Sequence, residues 1–142
     1  YNDLSQNRQS DIAFNWDKML NFEGNSGPYL QYTYARLKSI LRKSDFKKFD
    51  SKYLNKKIEM DLILKLEEFS SVIEKITINY FPHYLADYLF GLAKLTNSFY
   101  QSSPVLKAEK GIKEARLALI KAVAETLKTG LNLLGIKAPE KM

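Results

Sequence analysis

Tyrosines and basic side chains recur along one side of a helix that the sequence predicts over residues 28–43. Steps of three, four, three and four residues separate Tyr29, Tyr32, Arg36, Ser39 and Lys43. That spacing places side chains on one helical face. Tyr32 and Arg36, four residues apart, are neighbours on successive turns. They can present a stacking ring and a guanidinium to one ligand, and exposed tyrosines on a basic helical protein are candidates for base stacking.

A run of basic residues begins within this helix and continues beyond it. Between residues 38 and 57 only Asp45 and Asp50 oppose eight basic side chains: Lys38, Arg42, Lys43, Lys47, Lys48, Lys52, Lys56 and Lys57. Such a run is either a solvated loop or a ridge that contacts phosphates. The net charge of +6 and the pI of about 9.4 favour an anionic partner, although many soluble domains carry such a charge for no specific reason.

Metal chemistry and nucleophilic catalysis are poorly supported. His83 is the single histidine, there is no cysteine, and no carboxylates cluster at ligand spacing. We expect His83, next to Pro82, at a surface or capping position. Glu67 and Glu68 fit a solvated helical face, and the loop Gly24–Gly27 lacks the spacing and the lysine of a phosphate-binding loop. The sequence therefore predicts no catalytic residue and no metal ligand.

The elements that would position these residues are all helical. A length of 142 residues fits one domain. Apolar periodicity and Gly/Pro breaks predict helices at about Trp16–Phe22, Pro28–Lys43, Lys56–Asn79, Pro82–Gln101 and Ala108–Leu134. Gly135 would cap the last helix in the left-handed conformation. With short connections and no strand-like alternation, the sequence predicts an all-α antiparallel helix bundle.

Each long helix carries an apolar stripe at bundle spacing. The four stripes are Leu30, Tyr34, Leu37 and Leu41; Leu62, Leu66, Phe69, Ile73, Ile76 and Tyr80; Leu85, Leu89, Leu92, Thr96 and Phe99; and Leu117, Ile120, Ala124, Leu127, Leu131 and Leu134. No apolar run is long enough to cross a membrane, and no signal-peptide pattern is visible. We expect a cytoplasmic monomer without a membrane partner.

Two segments resemble a known family. Residues 3–41 read DLSQNRQSDIAFNWDKMLNFEGNSGPYLQYTYARLKSIL, and residues 99–142 read FYQSSPVLKAEKGIKEARLALIKAVAETLKTGLNLLGIKAPEKM. The pieces W-D-K-M, F-E-G-N-S-G-P-Y-L-Q-Y, Y-A-R and the terminal P-E-K-M are similar to those of the C-terminal, DALR-type anticodon-binding domain of arginyl-tRNA synthetases. The sequence departs from that family at Lys128–Gly130, where Asn-Gly is common, and at Lys141, where Arg is usual.

The resemblance implies the domain organisation and the chemistry of the whole enzyme. Residues 15–142 would form a helical bundle of the class I synthetase type, and residues 1–14 the edge of a catalytic domain. The intact enzyme would join L-arginine to arginine tRNA with ATP and Mg²⁺, the arginine and ATP being bound by that catalytic domain. The H-I-G-H-like and K-M-S-K-S-like activation signatures are absent here. This stretch alone would hold no cofactor and would not aminoacylate.

The resemblance also implies which residues contact the anticodon, whose central base is cytosine in every arginine tRNA. It places anticodon contacts on Tyr32, Arg36, Tyr100 and Met142, with the Met142 carboxylate closing the cytosine pocket. It adds the loop residues Gly24, Asn25 and Gly27, whose backbone would approach RNA closely. Pro104 stands where some relatives have an aromatic residue. From their charge, Lys38, Arg42 and Lys43 are candidate phosphate contacts.

Three other interpretations remain open at this stage. A general basic RNA-binding bundle would bind without regard to anticodon sequence. A protein-interaction module would use the tyrosine face as a partner groove. The related anticodon domains of cysteinyl- and methionyl-tRNA synthetases lack the F-E-G-N-S-G-P-Y-L-Q-Y and P-E-K-M matches.

Overall fold

A computed structural model of the chain describes residues 1–9, 16 and 24–142. Within these residues the α-helices, numbered in chain order, are α1 (Gly27–Arg42), α2 (Lys57–Asn79), α3 (His83–Ser102) and α4 (Lys110–Leu133). Short 3-10 helices span Asp3–Ser5 and Ser51–Tyr53, and this described part contains no strand. The predicted all-α class is confirmed, and the four helices begin and end within two residues of their predicted bounds. The helix predicted at residues 16–22 lies, apart from Trp16, outside the described residues.

Helix α1 starts where its sequence favours a start. The Ser26 hydroxyl accepts a hydrogen bond from the Tyr29 N–H at 3.3 Å, which satisfies one of the amides that a helix leaves free at its first turn. Pro28, which has no N–H to lose, occupies that same turn. The start of α1 is therefore fixed by local chemistry.

The predicted stripes of α1, α3 and α4 form the core. All five predicted residues of α3 are buried, as are the first five of α4. On α1, Ile40 is buried in place of Leu41, which is half-buried. The prediction for Tyr80 was wrong: its side chain is 71% exposed. Tyr80 takes a left-handed conformation, with φ of 58°, where the chain leaves α2 for α3, so the helical periodicity no longer applies to it.

The helices pack as antiparallel neighbours. Helices α2 and α3 form a hairpin, in which the Tyr88 hydroxyl donates to the main-chain oxygen of Lys65 at 2.8 Å. Helix α4 runs antiparallel to α1, because Ile136, just beyond α4, lies beside Gly27 at the start of α1. At the other end, Phe46, which follows α1, lies below Lys121 in the first half of α4. The chain that follows α4 therefore returns to α1.

Two glycines at helix contacts differ in how closely their neighbours approach. A Cβ at Gly130 would lie 2.5 Å from a methyl carbon of buried Leu89, so the approach of α4 to α3 requires glycine there. A Cβ at Gly91 would lie 3.5 Å from Cε of Lys65, an ordinary contact. Close packing therefore does not explain Gly91.

A buried ion pair, which the sequence analysis missed, joins α2 to α4. Glu59 and Arg116 are 0% and 4% exposed, and Arg116 Nε lies 2.7 Å from Glu59 Oε1. The other Glu59 oxygen accepts from the Lys56 N–H at 2.9 Å. A second Arg116 nitrogen donates to the main-chain oxygen of Pro104 at 2.6 Å. The pair thus fixes the start of α2 and the loop between α3 and α4.

Candidate nucleic-acid interface

The segment after α4, residues 135–142, lies along α1. Gly135 has φ of 74°, which confirms the predicted left-handed cap, and the Ile136 N–H donates back to the Leu131 oxygen at 2.9 Å. Further along, the Gln31 side-chain amide donates to the Lys137 oxygen at 2.7 Å. The segment therefore runs from the start of α1 towards its end.

Glu140 fixes the far end of this segment. Its carboxylate lies 3.1 Å from the Lys38 ammonium, and its main-chain oxygen accepts from the Arg42 guanidinium at 3.0 Å. The hydrogen bond between the side chains raises the pKa of Lys38 and lowers the pKa of Glu140. Lys38 is therefore engaged with the tail, and Arg42 holds it by one nitrogen.

This arrangement brings Met142 to the face that the sequence analysis singled out. A groove of about 380 Å³ is lined by Tyr32, Ala35, Arg36, Ser39, Arg42, Lys141 and Met142. Tyr32 is 54% exposed and Met142 63% exposed, so both can contact a ligand from solvent. The groove unites three of the four residues expected to read the anticodon.

The fourth, Tyr100, lies beneath Arg36. The guanidinium carbon of Arg36 lies 4.1 Å from the centroid of the Tyr100 ring, within the range of a cation–π interaction. Tyr100 belongs to the last turns of α3 and is half-buried. It also borders a second cavity of about 310 Å³ that includes Pro104 and Lys107. Tyr100 therefore supports Arg36 from below.

The charged side chains that line the groove are all basic. Among the described residues, no Asp or Glu side chain lines it, and Arg36 has no carboxylate partner there. Arg42 and Lys141 lie at its rim. Lys43, the C-cap of α1, is exposed but does not line it. An anionic or polar planar ligand fits this surface better than a cation does.

Tyr29 departs from the predicted face. Its hydroxyl accepts from the Asn97 side-chain amide at 2.8 Å, and its ring meets Phe90 edge-on at 5.6 Å between centroids. Both partners belong to α3. Tyr29 therefore joins α1 to α3 and is not part of the groove.

The loop residues Gly24, Asn25 and Gly27 lie at the other end of α1. The rise of an α-helix places Gly27 about 13 Å from Arg36 along the axis. The Asn25 side chain accepts a hydrogen bond from the Tyr1 hydroxyl, and Gly27 lines a separate cavity of about 340 Å³ with Tyr1 and Trp16. The loop is therefore apart from the groove, and its predicted RNA contact stays a prediction.

The sequence analysis missed several residues that build the groove. Gln31 and Glu140 hold the tail, and Ala35 and Lys141 line the surface beside Ser39, which lies on the predicted face. Gln31 and Glu140 fall inside the quoted family motifs, and this was the one sequence signal that could have marked them. Their pairing with α1 depends on the path of the chain after Gly135.

The part of the chain that the structure describes contains no group of three or more His, Cys, Asp or Glu side chains able to hold a metal. His83 is half-buried beside Phe81 and Tyr84, and its Nδ1 makes no hydrogen bond. It therefore makes no capping bond through that atom. None of the described helices is long and apolar enough to cross a membrane.

The architecture is similar to part of several solved structures and known proteins. The arginyl-tRNA synthetase of Thermus thermophilus superposes with a TM-score of 0.87 and 39% identity, over 94% of this chain and 24% of that one. The enzyme from Plasmodium falciparum gives a TM-score of 0.87 and 34% identity, over 99% and 25%. An arginine–tRNA ligase of Laribacter hongkongensis is 47% identical over the whole of this chain and 25% of its own length.

The matched region includes the groove. The chain spans about a quarter of the length of these relatives. A family model described as the DALR anticodon binding domain matches residues 30–142, which contain α1 from Leu30 onward, the other three helices and the tail. The chain therefore belongs to the DALR anticodon binding domain family.

Proposed function

We propose that this chain binds the anticodon loop of an arginine tRNA, as the anticodon-reading part of an arginine–tRNA ligase. The observation that carries the proposal is the stack of Arg36 on Tyr100 at the base of a basic groove. Tyr32 and Met142 flank that stack and are exposed. Family membership and the arginine–tRNA ligases among the relatives support the choice of RNA.

The groove offers a ring on which an unpaired cytosine can stack and a guanidinium that can donate to its edge. A base splayed from a loop is bound by stacking on aromatic rings and by hydrogen bonds to its edge. In the proposal, Tyr32 stacks on the base, and Met142 covers it from the tail. Arg36 donates to the O2 and N3 acceptors, since its stack on Tyr100 leaves the guanidinium edge free. These roles rest on the lining of the groove and on charge.

The basic residues around the groove take different proposed roles. Arg42 keeps donors free beyond its bond to the tail, and Lys141 has no ion-pair partner in the described part of the chain. We assign these two, together with exposed Lys43, to phosphates of the loop. Lys38 is engaged with Glu140. Its proposed contribution is to hold the tail, and with it Met142, in place.

The remaining roles belong to the larger ligase. Gly24, Asn25 and Gly27 would contact RNA that extends past the first turn of α1. L-arginine and ATP, with Mg²⁺, would bind a catalytic domain, to which residues 1–14 would belong. Tyr1 is half-buried against Gly27 and hydrogen-bonds to the Ala86 oxygen at 3.0 Å, so that segment would also contact the bundle. The enzyme would act as a cytoplasmic monomer.

Removing the Tyr32 ring tests the proposal. Base–aromatic stacking contributes on the order of 1–3 kcal/mol per base, so Tyr32→Ala should weaken binding of an arginine tRNA transcript roughly tenfold to a hundredfold. Tyr80→Ala, at a 71% exposed tyrosine in the turn between α2 and α3, serves as the matched control. Circular dichroism checks that helicity is unchanged. Wild-type affinity in a folded Tyr32→Ala protein would remove Tyr32 from the site.

A further inference from the structure

The loop between α1 and α2 continues the basic surface away from the groove. Arg42 lines the groove, and Lys43, Lys47 and Lys48 follow it along the chain, all exposed. None of these lysines has a carboxylate within ion-pair distance among the described residues. Lys52, by contrast, pairs with Asp50 at 2.9 Å. The uncompensated charge is therefore concentrated at the start of the loop.

The loop follows α4 towards its first turn. Phe46 lies below Lys121, and the Tyr53 ring lies against Gly111. Ten residues of α-helix between Lys121 and Gly111 correspond to about 15 Å. From Arg36 to Arg42 is a further distance of about 9 Å along α1. The far end of the loop, at Tyr53, therefore lies about 25 Å from Arg36, measured along the helix axes.

Two exposed aromatic rings are held in defined positions on this loop. A Cβ at Gly111 would lie 2.5 Å from Cζ of Tyr53, so the absence of a side chain there lets the ring lie against α4. Phe49, 54% exposed, meets Phe46 edge-on at 6.2 Å, and Phe46 packs on the core. Contacts with α4 and with the core therefore hold both rings at the surface.

The rings and the charges meet at one cavity. A depression of about 440 Å³ is lined by Lys48, Phe49, Asp50, Tyr53, Lys110, Gly111 and Glu114. Asp50 is neutralised in part by Lys52, and Glu114 is the second acid. Lysines beside aromatic rings are the combination that binds single-stranded nucleic acid without reading its sequence.

We propose that the loop of residues 43–53 is a second RNA-contacting surface. It binds the sugar–phosphate backbone of the same RNA through Lys47 and Lys48, and it stacks one unpaired base on Phe49 or Tyr53. This inference rests on the proposed anticodon function, because charge complementarity and continuity with the groove identify RNA as the occupant. Contacts to phosphates and ring faces carry no base identity, so this surface adds affinity without adding specificity.

The test compares two charge reversals of equal size in the whole chain. Lys48→Glu changes the proposed surface, and Lys75→Glu changes an exposed lysine about 27 Å further along α2 from the end of the loop. Each is titrated with an arginine tRNA transcript and with a transcript whose central anticodon cytosine is changed to uracil. Phe49→Ala and Gly111→Ala probe the rings, and circular dichroism checks the fold of each variant.

The expected results separate this surface from the groove. Lys48→Glu should weaken the binding of both transcripts several-fold and to the same extent. It should also lower the slope of log affinity against log salt concentration by about 1. Phe49→Ala should weaken binding of both transcripts by roughly fivefold to a hundredfold, and Lys75→Glu should have little effect. The inference would be overturned if Lys48→Glu and Lys75→Glu changed the affinity for RNA equally while the chain still distinguished cytosine from uracil. A wild-type chain that binds neither transcript would overturn the anticodon proposal itself, and this inference with it.

Discussion

Arg36 on α1 stacks on Tyr100 of α3, with 4.1 Å between the guanidinium carbon and the ring centroid. The contact orients the guanidinium towards a groove formed by α1 and the tail. Neither helix alone could hold Arg36 there. The relationship links the packing of the bundle to the surface that would bind RNA.

Substitution of Arg36 by lysine tests the planar stack. Lysine keeps the charge but has neither the flat guanidinium nor its forked donors. We expect Arg36→Lys to weaken tRNA binding by about 1–2 kcal/mol, whereas Tyr100→Phe, which retains a ring face, should cost less than half of that. Binding isotherms at one fixed salt concentration measure both. An Arg36→Lys protein with undiminished affinity would show that charge alone suffices at this position.

The ion pair between Glu140 and Lys38, which helps to hold the tail on α1, should be lost in acid. Because Lys38 lowers the pKa of the Glu140 carboxyl, the ion pair is fully present above the ordinary carboxyl pKa and is lost as pH falls through the lowered one. Because Glu140 raises the pKa of Lys38, the ion pair is lost in alkali only when the pH rises above the ordinary lysine pKa and through the raised pKa of Lys38. The ion pair should therefore be fully present from above the ordinary glutamate pKa to below the ordinary lysine pKa.

The methyl group of Met142 reports the loss of this ion pair. In a protein carrying ¹³C-methyl methionine, the Met142 signal should sharpen and shift only once pH falls below the ordinary glutamate pKa of about 4.3. The Glu140→Gln protein should show the mobile signal throughout and no such titration. An identical titration in the Glu140→Gln protein would assign the pH response to another group.

Two glycine-to-alanine substitutions should have opposite effects on stability. Alanine at Gly91 makes only an ordinary contact, so Gly91→Ala should stabilise the fold by up to about 1 kcal/mol through helix propensity. Alanine at Gly130 would collide with Leu89, and overpacking of this kind costs about 1–3 kcal/mol. Urea unfolding followed by circular dichroism measures both, and a stabilising Gly130→Ala would contradict the close approach of α3 and α4.

The buried Glu59–Arg116 pair should respond differently to single and double substitution. Loss of one partner leaves a buried charge uncompensated and costs about 3–5 kcal/mol. We therefore expect Glu59→Leu or Arg116→Met alone to destabilise the fold by that amount, and the double variant to recover much of it. Free energies of unfolding from all four proteins form the double-mutant cycle. Additive losses would indicate that the two side chains act independently.

Much of the bundle could be predicted because helix periodicity and Gly/Pro breaks are local. The stripes of α3 and α4 lie in the core as expected. The prediction that Tyr80 lies in the core was wrong because this residue takes a left-handed conformation at the end of α2 and redirects the chain. The spacing of apolar residues does not reveal such a turn. Glu59 and Arg116 are 57 residues apart, and no local pattern pairs them.

The site shows the same division between local and long-range information. The spacing of Tyr32 and Arg36 placed both on one exposed face, but Tyr29, at matching spacing, is covered by Phe90 and Asn97 from α3. A step of three residues turns about 60° short of a full helical circle, so one stripe can span both the exposed face and the edge of the core. The path of the tail depends on the turn at Gly135 and on its hydrogen bonds to α1.

We propose that the groove reads the middle base of the anticodon. The most direct measurement is the ratio of the dissociation constants of the wild-type chain for two RNA stem-loops that differ only in cytosine or uracil at that base. A site built to pair with the edge of a base rejects the wrong edge by about 1–3 kcal/mol. We therefore predict tighter binding of the cytosine stem-loop by roughly tenfold or more. Equal dissociation constants for the two stem-loops would show that the groove does not read this base.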